Sequence, residues 1–358
     1  MRITAVRAAA ISVPLAEPFV ISLAVIDSAE TVIVTLETDE GLAGYGEGAG
    51  IAMVTGETTA TVLAAIRTLT PALIGQDPFA IEAHHRAFDR LLSANGAAKA
   101  ALDLALYDLM GKAVGLPVYR LLGGHRTTVE TDMTIGLGAP DAMAAQASDL
   151  VAQGYREIKV KAGSNRAQDR AAIALIRAVA PHAHLKVDAN QGWTVAEALD
   201  MARYYTGFDV GAIEQPVPHW DLDGLVAVRQ RSPIPIMADE SCFTAHDAST
   251  IIKRGAADLI NIKLMKCGGL YPALQINAVA EAAGVRCMVG CMLESRLGIA
   301  AGAHLVAARP NIVYADLDSF HDFDDSSVIE SAFGFDTPVI RLTDALGLGV
   351  TIAGDGAR

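Results

Sequence analysis

Short apolar stretches alternate with amphipathic stretches over residues 128–318. The apolar stretches predict strands: VETDMTIGL, EIKVKAG, HLKVDANQGW, GAIEQPV, PIMADES, LINIKLM, RCMVGCM and NIVYADLD. The stretches between them include helix candidates such as NRAQDRAAIALIRAVA, YPALQINAVAEAAG and SRLGIAAGAHLVAA. Strands that alternate with helices in this way predict a parallel sheet built from βα units.

Polar residues near the ends of these strands recur every 24 to 28 residues, which is about one βα unit. They are Lys161, Asp188, Glu214, Asp239, Lys263, Cys291 and Asp316. Eight such strands predict a closed parallel barrel whose active site lies where the strands end. A doubly wound open sheet would show the same alternation, but no GxGxxG motif follows the first strand. We therefore predict an α/β fold, a (β/α)7β TIM-like barrel.

The first third of the chain has the pattern of an α+β unit. ITAVRAAAISVPL and ETVIVTLETDEGLAGYGEG predict strands with a turn at residues 39–41, and helices are predicted near residues 57–75, 80–93 and 97–114. The tail holds one more strand, PVIRL, which we expect to return to the N-terminal unit. The predicted segments are an α+β capping domain over 1–124, the barrel over 125–324, and a return to the capping domain over 325–358.

The composition limits the class of protein. Of the 358 residues, 52% are hydrophobic and 19% are charged, which indicates a globular chain. The net charge of -13 argues against nucleic acid and anionic membranes as partners. The four cysteines form no CxxC pair and lie in apolar stretches, so we expect buried thiols in a reducing compartment. No run of 18 apolar residues and no signal peptide is evident, so we expect a soluble cytoplasmic protein.

Three consecutive predicted strands end in an acid: Asp188 in VDAN, Glu214 in IEQP and Asp239 in ADES. Adjacent strand ends converge in a closed barrel, so three unpaired carboxylates would repel one another at its mouth. A divalent cation removes this repulsion, and three oxygen ligands with room for water or substrate suit Mg²⁺. Any one acid alone is better explained as a helix N-cap or loop residue, but three at the same strand position favour a metal. Asn190 and Glu240 lie close by and would orient the ligands, with Glu240 open as a fourth ligand.

Lysines flank these acids along the chain. Lys159 and Lys161 share one face of the strand before the acids, and Lys263 ends the strand after them. A solvated strand face would explain the first pair equally well from its own segment. A lysine that acts as a base must be neutral, however, and crowding of Lys161 by Lys159 and a nearby cation favours the neutral form. We expect Lys266 to lie outside the barrel mouth.

Lysines on opposite sides of one substrate can remove a proton from one face of a carbon and return it to the other face. This geometry is typical of a racemase or epimerase. The carbon should be α to a carboxylate, because a metal bound to both carboxylate oxygens stabilises the enediolate more than the ground state.

Five motifs, in this order, resemble those of the muconate-lactonizing subgroup of the enolase superfamily. They are KVK at 159–161, DAN at 188–190, EQP at 214–216, ADES at 238–241 and NIKLMKCGG at 261–269. The resemblance covers nearly the whole chain, including GLPVYRLLGG at 115–124. It implies a lysine base working with Mg²⁺, which is a known pattern of that superfamily. It also implies a homo-oligomer.

Asp316 and Asp318 in ADLD share a strand face and are similar to the pair with which dipeptide epimerases hold the substrate's α-ammonium group. A capped strand-to-loop exit would explain this pair if it stood alone. Beside the lysines and the acids it predicts a zwitterionic small-molecule substrate, a dipeptide Xaa-Yaa that is inverted at Yaa. Thr134, at the end of the first barrel strand, is a further candidate for substrate contact, or a packing residue.

Relatives that resemble Ala-Glu epimerases carry basic residues in the loop near residues 20–26, where this chain has Val20 and Ala24. The loop instead offers an apolar lid made of Ile21, Leu23, Val25 and Ile26. Asp27 keeps a cationic substrate side chain as an alternative. Cys291 and Leu293 would add apolar surface to the wall of the site. We predict hydrophobic dipeptides as substrates, with cationic dipeptides or Ala-Glu as alternatives.

Other reactions of the subgroup remain alternatives, namely N-acylamino acid racemisation, o-succinylbenzoate synthesis and muconate cycloisomerisation. Their substrates have no free α-ammonium group, so the aspartate pair argues against them. A non-catalytic Mg²⁺-dependent binding protein or structural oligomer is an alternative of a different class. It would not need lysines on both sides of the metal.

Overall fold

The computed structural model describes residues 1–22, 24–331 and 333–353. The chain begins with an antiparallel sheet in sequential order, made of β1 (Ile3–Val20), β2 (Val25–Thr38) and β3 (Ala43–Gly48). The predicted turn joins β2 to β3, and Gly41 has a φ of 78° there, which suits a residue without Cβ. The helices that follow are α1 (Ala52–Thr55), α2 (Thr59–Leu69), α3 (Ile81–Leu91), α4 (Gly96–Val114) and α5 (Val118–Leu121). The first predicted helix is shorter than expected, because α2 passes into a 3₁₀ turn at Thr70–Ala72 that contains Pro71.

The segment VETDMTIGL, predicted as one strand, forms two: β4 (Thr128–Glu130) and β5 (Met133–Ile135). Between them the backbone N–H of Thr131 bonds to the carbonyl of Pro338 in the tail, and that of Asp132 bonds to the carbonyl of Ala315 in the barrel. These two bonds point to different parts of the molecule, so the strand is interrupted and only β5 belongs to the barrel.

The predicted barrel is confirmed, because β5 and seven further strands form one parallel sheet in sequential order. These strands are β6 (Glu157–Lys161), β7 (His184–Asp188), β8 (Val210–Glu214), β9 (Ile236–Ala238), β10 (Leu259–Lys263), β11 (Arg286–Gly290) and β12 (Ile312–Asp316). The helices between them are α6 (Pro140–Gln153), α7 (Arg166–Val179), α8 (Val195–Tyr205), α9 (Leu222–Arg231), α10 (Ala245–Arg254), α11 (Leu264–Cys267), α12 (Leu270–Ala282) and α13 (Arg296–Ala308). Short 3₁₀ turns follow α8 at Thr206–Phe208 and β12 at Ser319–His321. No helix in the described part of the chain combines the length and hydropathy needed to cross a bilayer.

The C-terminal tail forms β13 (Ile329–Ser331), β14 (Gly334–Asp336), β15 (Val339–Arg341) and β16 (Thr351–Ile352). The predicted strand PVIRL is β15, which pairs with β4 and β14 rather than with the N-terminal sheet. Farther on, the tail does reach the N-terminal helices. The N–H of Leu348 bonds to Asp108 in α4, and the N–H of Val118 bonds to the carbonyl of Gly347. The domain limits at residues 124 and 324 stay predictions.

Strand alternation places charged side chains inside the barrel. Ile158 and Val160 pack in the hydrophobic core, whereas Lys159 and Lys161 are buried among acids of other strands. Their exposed fractions are 1% and 8%. The strand register sets Lys161 beside Asp188. This burial excludes a solvated strand face, and it requires partners for both ammonium groups.

Candidate active site

The Lys159 ammonium group connects acids from three strands. Its Nζ lies 2.7 Å from Asp316 Oδ2, 2.9 Å from Glu214 Oε2 and 3.1 Å from Asp188 Oδ2. Burial would lower the pKa of Lys159, but these carboxylates raise it well above its usual value. Lys159 therefore supplies a fixed positive charge within the site.

Lys161 and Lys263 stand on the second and sixth of the eight parallel strands, positions that lie across from each other in an eight-stranded barrel, and both line one cavity. Lys161 Nζ lies 2.7 Å from Asp188 Oδ2 and 3.0 Å from Asn190 Oδ1. Lys263 Nζ lies 2.9 Å from Asp239 Oδ2. Burial would lower the pKa of Lys263, but Asp239 raises it above its usual value. The two candidate bases are thus held on opposite sides of the site by different acids.

The three predicted metal ligands, Asp188, Glu214 and Asp239, are buried at the ends of adjacent strands. Burial and repulsion by Asp188 raise the pKa of Glu214 to about 7. Burial also disfavours ionisation of the other two acids, but nearby ammonium groups outweigh it. Lys161 and Lys159 lower the pKa of Asp188, and Lys263 and Lys266 lower that of Asp239. Each of the three acids therefore has at least one lysine ammonium group beside it.

Asn190 and Glu240 lie beside these acids, in the places where the sequence predicts them. Asn190 Nδ2 donates to Glu240 Oε1 at 3.2 Å, while Asn190 Oδ1 accepts from Lys161. Burial and Asp239 raise the pKa of Glu240 to about 7. Glu240 Oε2 is buried and has no hydrogen-bond partner among the described residues. A bound cation or a hydrogen-bond donor would stabilise such a buried, unpaired oxygen.

Two amides that the sequence reasoning missed hold the acids in place. Asn261 Nδ2 donates to Glu214 Oε1 at 2.8 Å. Gln215 Oε1 accepts the backbone N–H of Asp239 at 2.9 Å and that of Ser241 at 3.2 Å. A signal for Asn261 was present, since it is a polar residue on the inward face of the apolar strand LINIK, two residues before Lys263.

The donor set fits a hard divalent cation in its chemistry, because it consists of buried carboxylates with one further carboxylate oxygen unpaired. Two of these acids already share a cation, the ammonium group of Lys159. In the described residues, however, the set of three ligand atoms within 4.8 Å of one another belongs to Cys291, Asp316 and Asp318. The predicted ligands are spread farther apart, around the lysine ammonium groups.

Lys266, which the sequence predicts outside the mouth, is buried against the predicted metal ligand Asp239. Its Nζ lies 2.5 Å from both Oδ1 and the backbone oxygen of Asp239, and 3.2 Å from the carbonyl of Asn261. The one-turn helix α11 begins directly after Lys263 and turns the chain back, which brings Lys266 against Asp239. The position of Lys266 three residues after the end of β10 did not reveal this contact, because the contact depends on how α11 packs.

Lys266→Met should lower the free energy of unfolding by about 3 kcal/mol, because a buried Asp239 would lose one of its two ammonium partners. Urea denaturation at pH 7 would measure the change. Lys253 is exposed on α10, so Lys253→Met should change the same free energy by less than about 0.5 kcal/mol. Equal stabilities for the two variants would show that the Lys266 contact contributes nothing.

Asp316 and Asp318 have different partners. Asp316 pairs with Lys159, and its Oδ1 accepts from Thr134 Oγ1 at 3.3 Å. Asp318 Oδ2 accepts the backbone N–H of Thr134 at 2.7 Å, and its Oδ1 lies 3.6 Å from Cys291 Sγ. Burial and repulsion by Asp316 raise the pKa of Asp318. No lysine or arginine in the described chain forms an ion pair with Asp318, so this carboxylate is open to an added cation.

A cavity of about 40 Å³ lies between the aspartate pair and the lysines. Eight predicted site residues line it: Thr134, Lys159, Lys161, Lys263, Cys291, Leu293, Asp316 and Asp318. Phe19, Met292, Ser319 and Asp322 also line it, and the sequence reasoning missed all four. Phe19 lies at the end of a strand from the N-terminal sheet, and its place over the barrel depends on how the two parts of the chain pack.

Two family models together cover most of the chain. Residues 3–123 match the N-terminal domain of mandelate racemase and muconate lactonizing enzyme, and residues 142–356 match the enolase C-terminal domain-like family. The chain belongs to the enolase superfamily. The resemblance inferred from five short motifs is thereby confirmed.

Relatives of this superfamily member include named epimerases. The hydrophobic dipeptide epimerase of Enterococcus faecalis is 44% identical over 98% of this chain and 100% of its own length. The L-Ala-D/L-Glu epimerase of Bacillus subtilis is 41% identical over 99% of this chain and 93% of its own length. A crystal structure of the Enterococcus faecalis dipeptide epimerase, complexed with Mg and the dipeptide L-Leu-L-Tyr, superposes with a TM-score of 0.95. It is 43% identical and covers 98% of this chain and 100% of the crystallised one.

In this enolase superfamily member the β1–β2 hairpin reaches over the barrel. Ser22 Oγ donates to the carbonyl of Asn190 at 3.0 Å. Ile26 packs in a small apolar cluster with Phe19 and Leu293, and Asp27 next to it is exposed because successive strand residues face opposite sides. The described wall of the cavity does not include Ala24, Ile26 or Asp27. Leu23, part of the predicted lid, lies outside the described residues.

Proposed function

We propose that the chain is a Mg²⁺-dependent dipeptide epimerase, which inverts the α-carbon of the C-terminal residue of L-Xaa-L-Yaa dipeptides. One observation supports this above all: Lys161 and Lys263 line the same cavity from opposite strands, and Asp318 also lines it. The names of the relatives, and the Mg and dipeptide in the Enterococcus faecalis complex, support the same reaction.

The barrel order explains how a zwitterionic dipeptide would lie. β7 and β8 end in Asp188 and Glu214, Asp239 directly follows β9, and β12, which lies opposite β8 in the barrel order, ends in Asp316. The substrate carboxylate would bind at the metal held by Asp188, Glu214 and Asp239, and the substrate ammonium group would bind Asp318. The α-carbon beside the substrate carboxylate then lies between Lys161 on β6 and Lys263 on β10.

Asp188, Glu214 and Asp239 would hold Mg²⁺, with Asn190 and Glu240 keeping them in position. When bound, the ion would supply positive charge against the charge that develops on the substrate carboxylate as the α-proton leaves. Lys159 adds a second fixed positive charge, since its ammonium group contacts Asp188 and Glu214.

Lys161 and Lys263 exchange the proton. One of them, as a neutral amine, takes the α-proton from one face, and the other, as an ammonium group, donates a proton to the opposite face. The reverse reaction uses them in the opposite roles. Both side chains are buried, with 8% and 6% of their surface exposed, so bulk water has little access to the amines.

An apolar substrate side chain suits the rest of the cavity wall. Phe19, Met292 and Leu293 contribute apolar surface. Apart from the three site lysines, the wall formed by the described residues has no cation to meet a glutamate side chain. We therefore propose dipeptides with a hydrophobic C-terminal residue over Ala-Glu.

Hydrogen exchange in D₂O would test this function most directly. With Mg²⁺ present, Ala-Phe and Ala-Leu should gain 1 Da at the α-carbon of the C-terminal residue, as read by mass spectrometry, and Ala-Glu should gain it more slowly. The panel also includes Ala-Lys and N-acetyl-phenylalanine. Mass gain by the N-acylamino acid but by no dipeptide would refute the proposed substrate class.

The cytoplasmic location and the homo-oligomeric state stay predictions. So does the expectation that neither nucleic acid nor a membrane is a partner.

A further inference from the structure

The cavity wall contains one acid that the proposed function does not use. Asp322 follows the 3₁₀ turn after β12 and lines the cavity together with Asp318, Phe19 and Leu293. Its backbone is anchored on both sides. Its N–H donates to the carbonyl of Ser319 at 3.1 Å, and its carbonyl accepts the N–H of Ala16 at 2.8 Å.

The side chain of Asp322 lacks a partner. It is partly buried, and it makes no ion pair or hydrogen bond with any residue in the described part of the chain. Burial and repulsion by Asp318 raise its pKa to about 7. Neighbouring acids differ in this respect. Asp324 is exposed and caps the N–H of Ser326, and Asp325 pairs with Arg296. Asp322 is therefore a carboxylate that faces the substrate cavity without a structural task on the protein side.

We propose that Asp322 selects dipeptides whose N-terminal residue has a basic side chain, that of lysine or arginine. This inference rests on the proposed function, which brings the substrate's α-ammonium group to Asp318. The N-terminal side chain starts from the carbon that holds this ammonium group, so it leaves from the end of the cavity that Asp322 shares. The apolar stem of a lysine side chain packs against Phe19 and Leu293 while its charged end meets Asp322.

The proposal concerns the N-terminal residue and leaves the preference for an apolar C-terminal residue unchanged. The side chain of the C-terminal residue starts near Lys161 and Lys263, closer to the centre of the barrel. The predicted determinant Asp27 would not do the same work as Asp322, because it is exposed and does not belong to the described cavity wall.

Competition in D₂O tests the inference. Wild-type protein with Mg²⁺ receives equal amounts of Lys-Phe, Ala-Phe and Glu-Phe, and the ratio of kcat/KM values follows from the relative rates of mass gain. We expect Lys-Phe to exceed Ala-Phe by about tenfold. In Asp322→Asn this ratio should fall close to one, and in Asp322→Lys the order should reverse in favour of Glu-Phe. Asp324→Asn, two residues farther on and exposed, should keep the wild-type ratio.

A measurement on the wild type alone covers the case in which a variant does not fold. Nε-acetyl-Lys-Phe has the same stem without the charge, and it should lose the advantage of Lys-Phe over Ala-Phe. If Ala-Phe exchanges but Lys-Phe has no advantage, or keeps its advantage in Asp322→Asn, the inference fails and the epimerase function stands. If no dipeptide exchanges at all, the proposed function fails and the inference fails with it.

Discussion

Lys161→Ala and Lys263→Ala should each lower the rate of dipeptide epimerisation by about 10³-fold or more, because each removes the only base or acid on one face of the substrate. The two variants should also differ in a diagnostic way. The lysine that remains can still remove the α-proton of the one epimer that presents it, but nothing returns a proton to the other face. In D₂O, each variant should therefore catalyse exchange of the α-proton of a single epimer, and the two variants should act on opposite epimers.

The measurement uses L-Ala-L-Phe and L-Ala-D-Phe separately, with mass gain for exchange and chiral chromatography for inversion. Both lysines also pair with acids, Lys161 with Asp188 and Lys263 with Asp239, so thermal unfolding and Mg²⁺ titration must show that each variant is folded and binds the ion. Lys253→Ala serves as the matched control, since Lys253 is exposed on α10. Full epimerase turnover in either site variant would contradict the two-base scheme.

Glu214→Gln should weaken Mg²⁺ binding by about 10²-fold or more, and the epimerisation rate at low Mg²⁺ should fall accordingly. The substitution keeps the shape of the side chain but removes one of three carboxylates whose charge would hold the ion. In the described structure Glu214 already contacts a cation, the ammonium group of Lys159, at 2.9 Å. The remaining neighbour, Asn261, donates a hydrogen bond that glutamine can still accept, so the fold should tolerate the change.

Isothermal titration calorimetry with Mg²⁺ gives the affinity without depending on activity. Removal of the ion with EDTA should abolish exchange in the wild type, and added Mg²⁺ should restore it. Asp223→Asn, at an exposed acid of α9, is the control for the loss of one negative charge. Unchanged exchange in EDTA, or wild-type affinity in Glu214→Gln, would rule out these acids as the metal site.

The local pattern predicted the barrel strands well because their side chains alternate with a period of two whatever the partner strand is. Lys161, Asp188, Glu214, Lys263 and Asp316 each end a strand in the structure. The split of VETDMTIGL into two strands was missed for the opposite reason. Its cause is a pair of backbone hydrogen bonds to Pro338 and Ala315, residues far away along the chain.

In the candidate site, too, some features follow from the local pattern and others do not. Its acids and two of its lysines follow from their spacing, but the partners of each charge do not. Lys159 was expected to crowd Lys161, and the two ammonium groups do share Asp188 Oδ2, but Lys159 also pairs with Glu214 and Asp316, which the spacing did not reveal. Lys266 was expected outside the mouth, and the spacing gave no sign that it is buried against Asp239.

The sequence by itself determined which residue types recur at the strand ends, and with them the barrel, the superfamily and a set of acids and lysines at one mouth. These features depend on local geometry, which repeats with each βα unit. Only the tertiary structure decided which ammonium group pairs with which carboxylate, and that Phe19 and Asp322 join the cavity. Contacts of this kind depend on distances between segments that are remote along the chain, and such distances exist only after the N-terminal sheet and the tail have packed on the barrel.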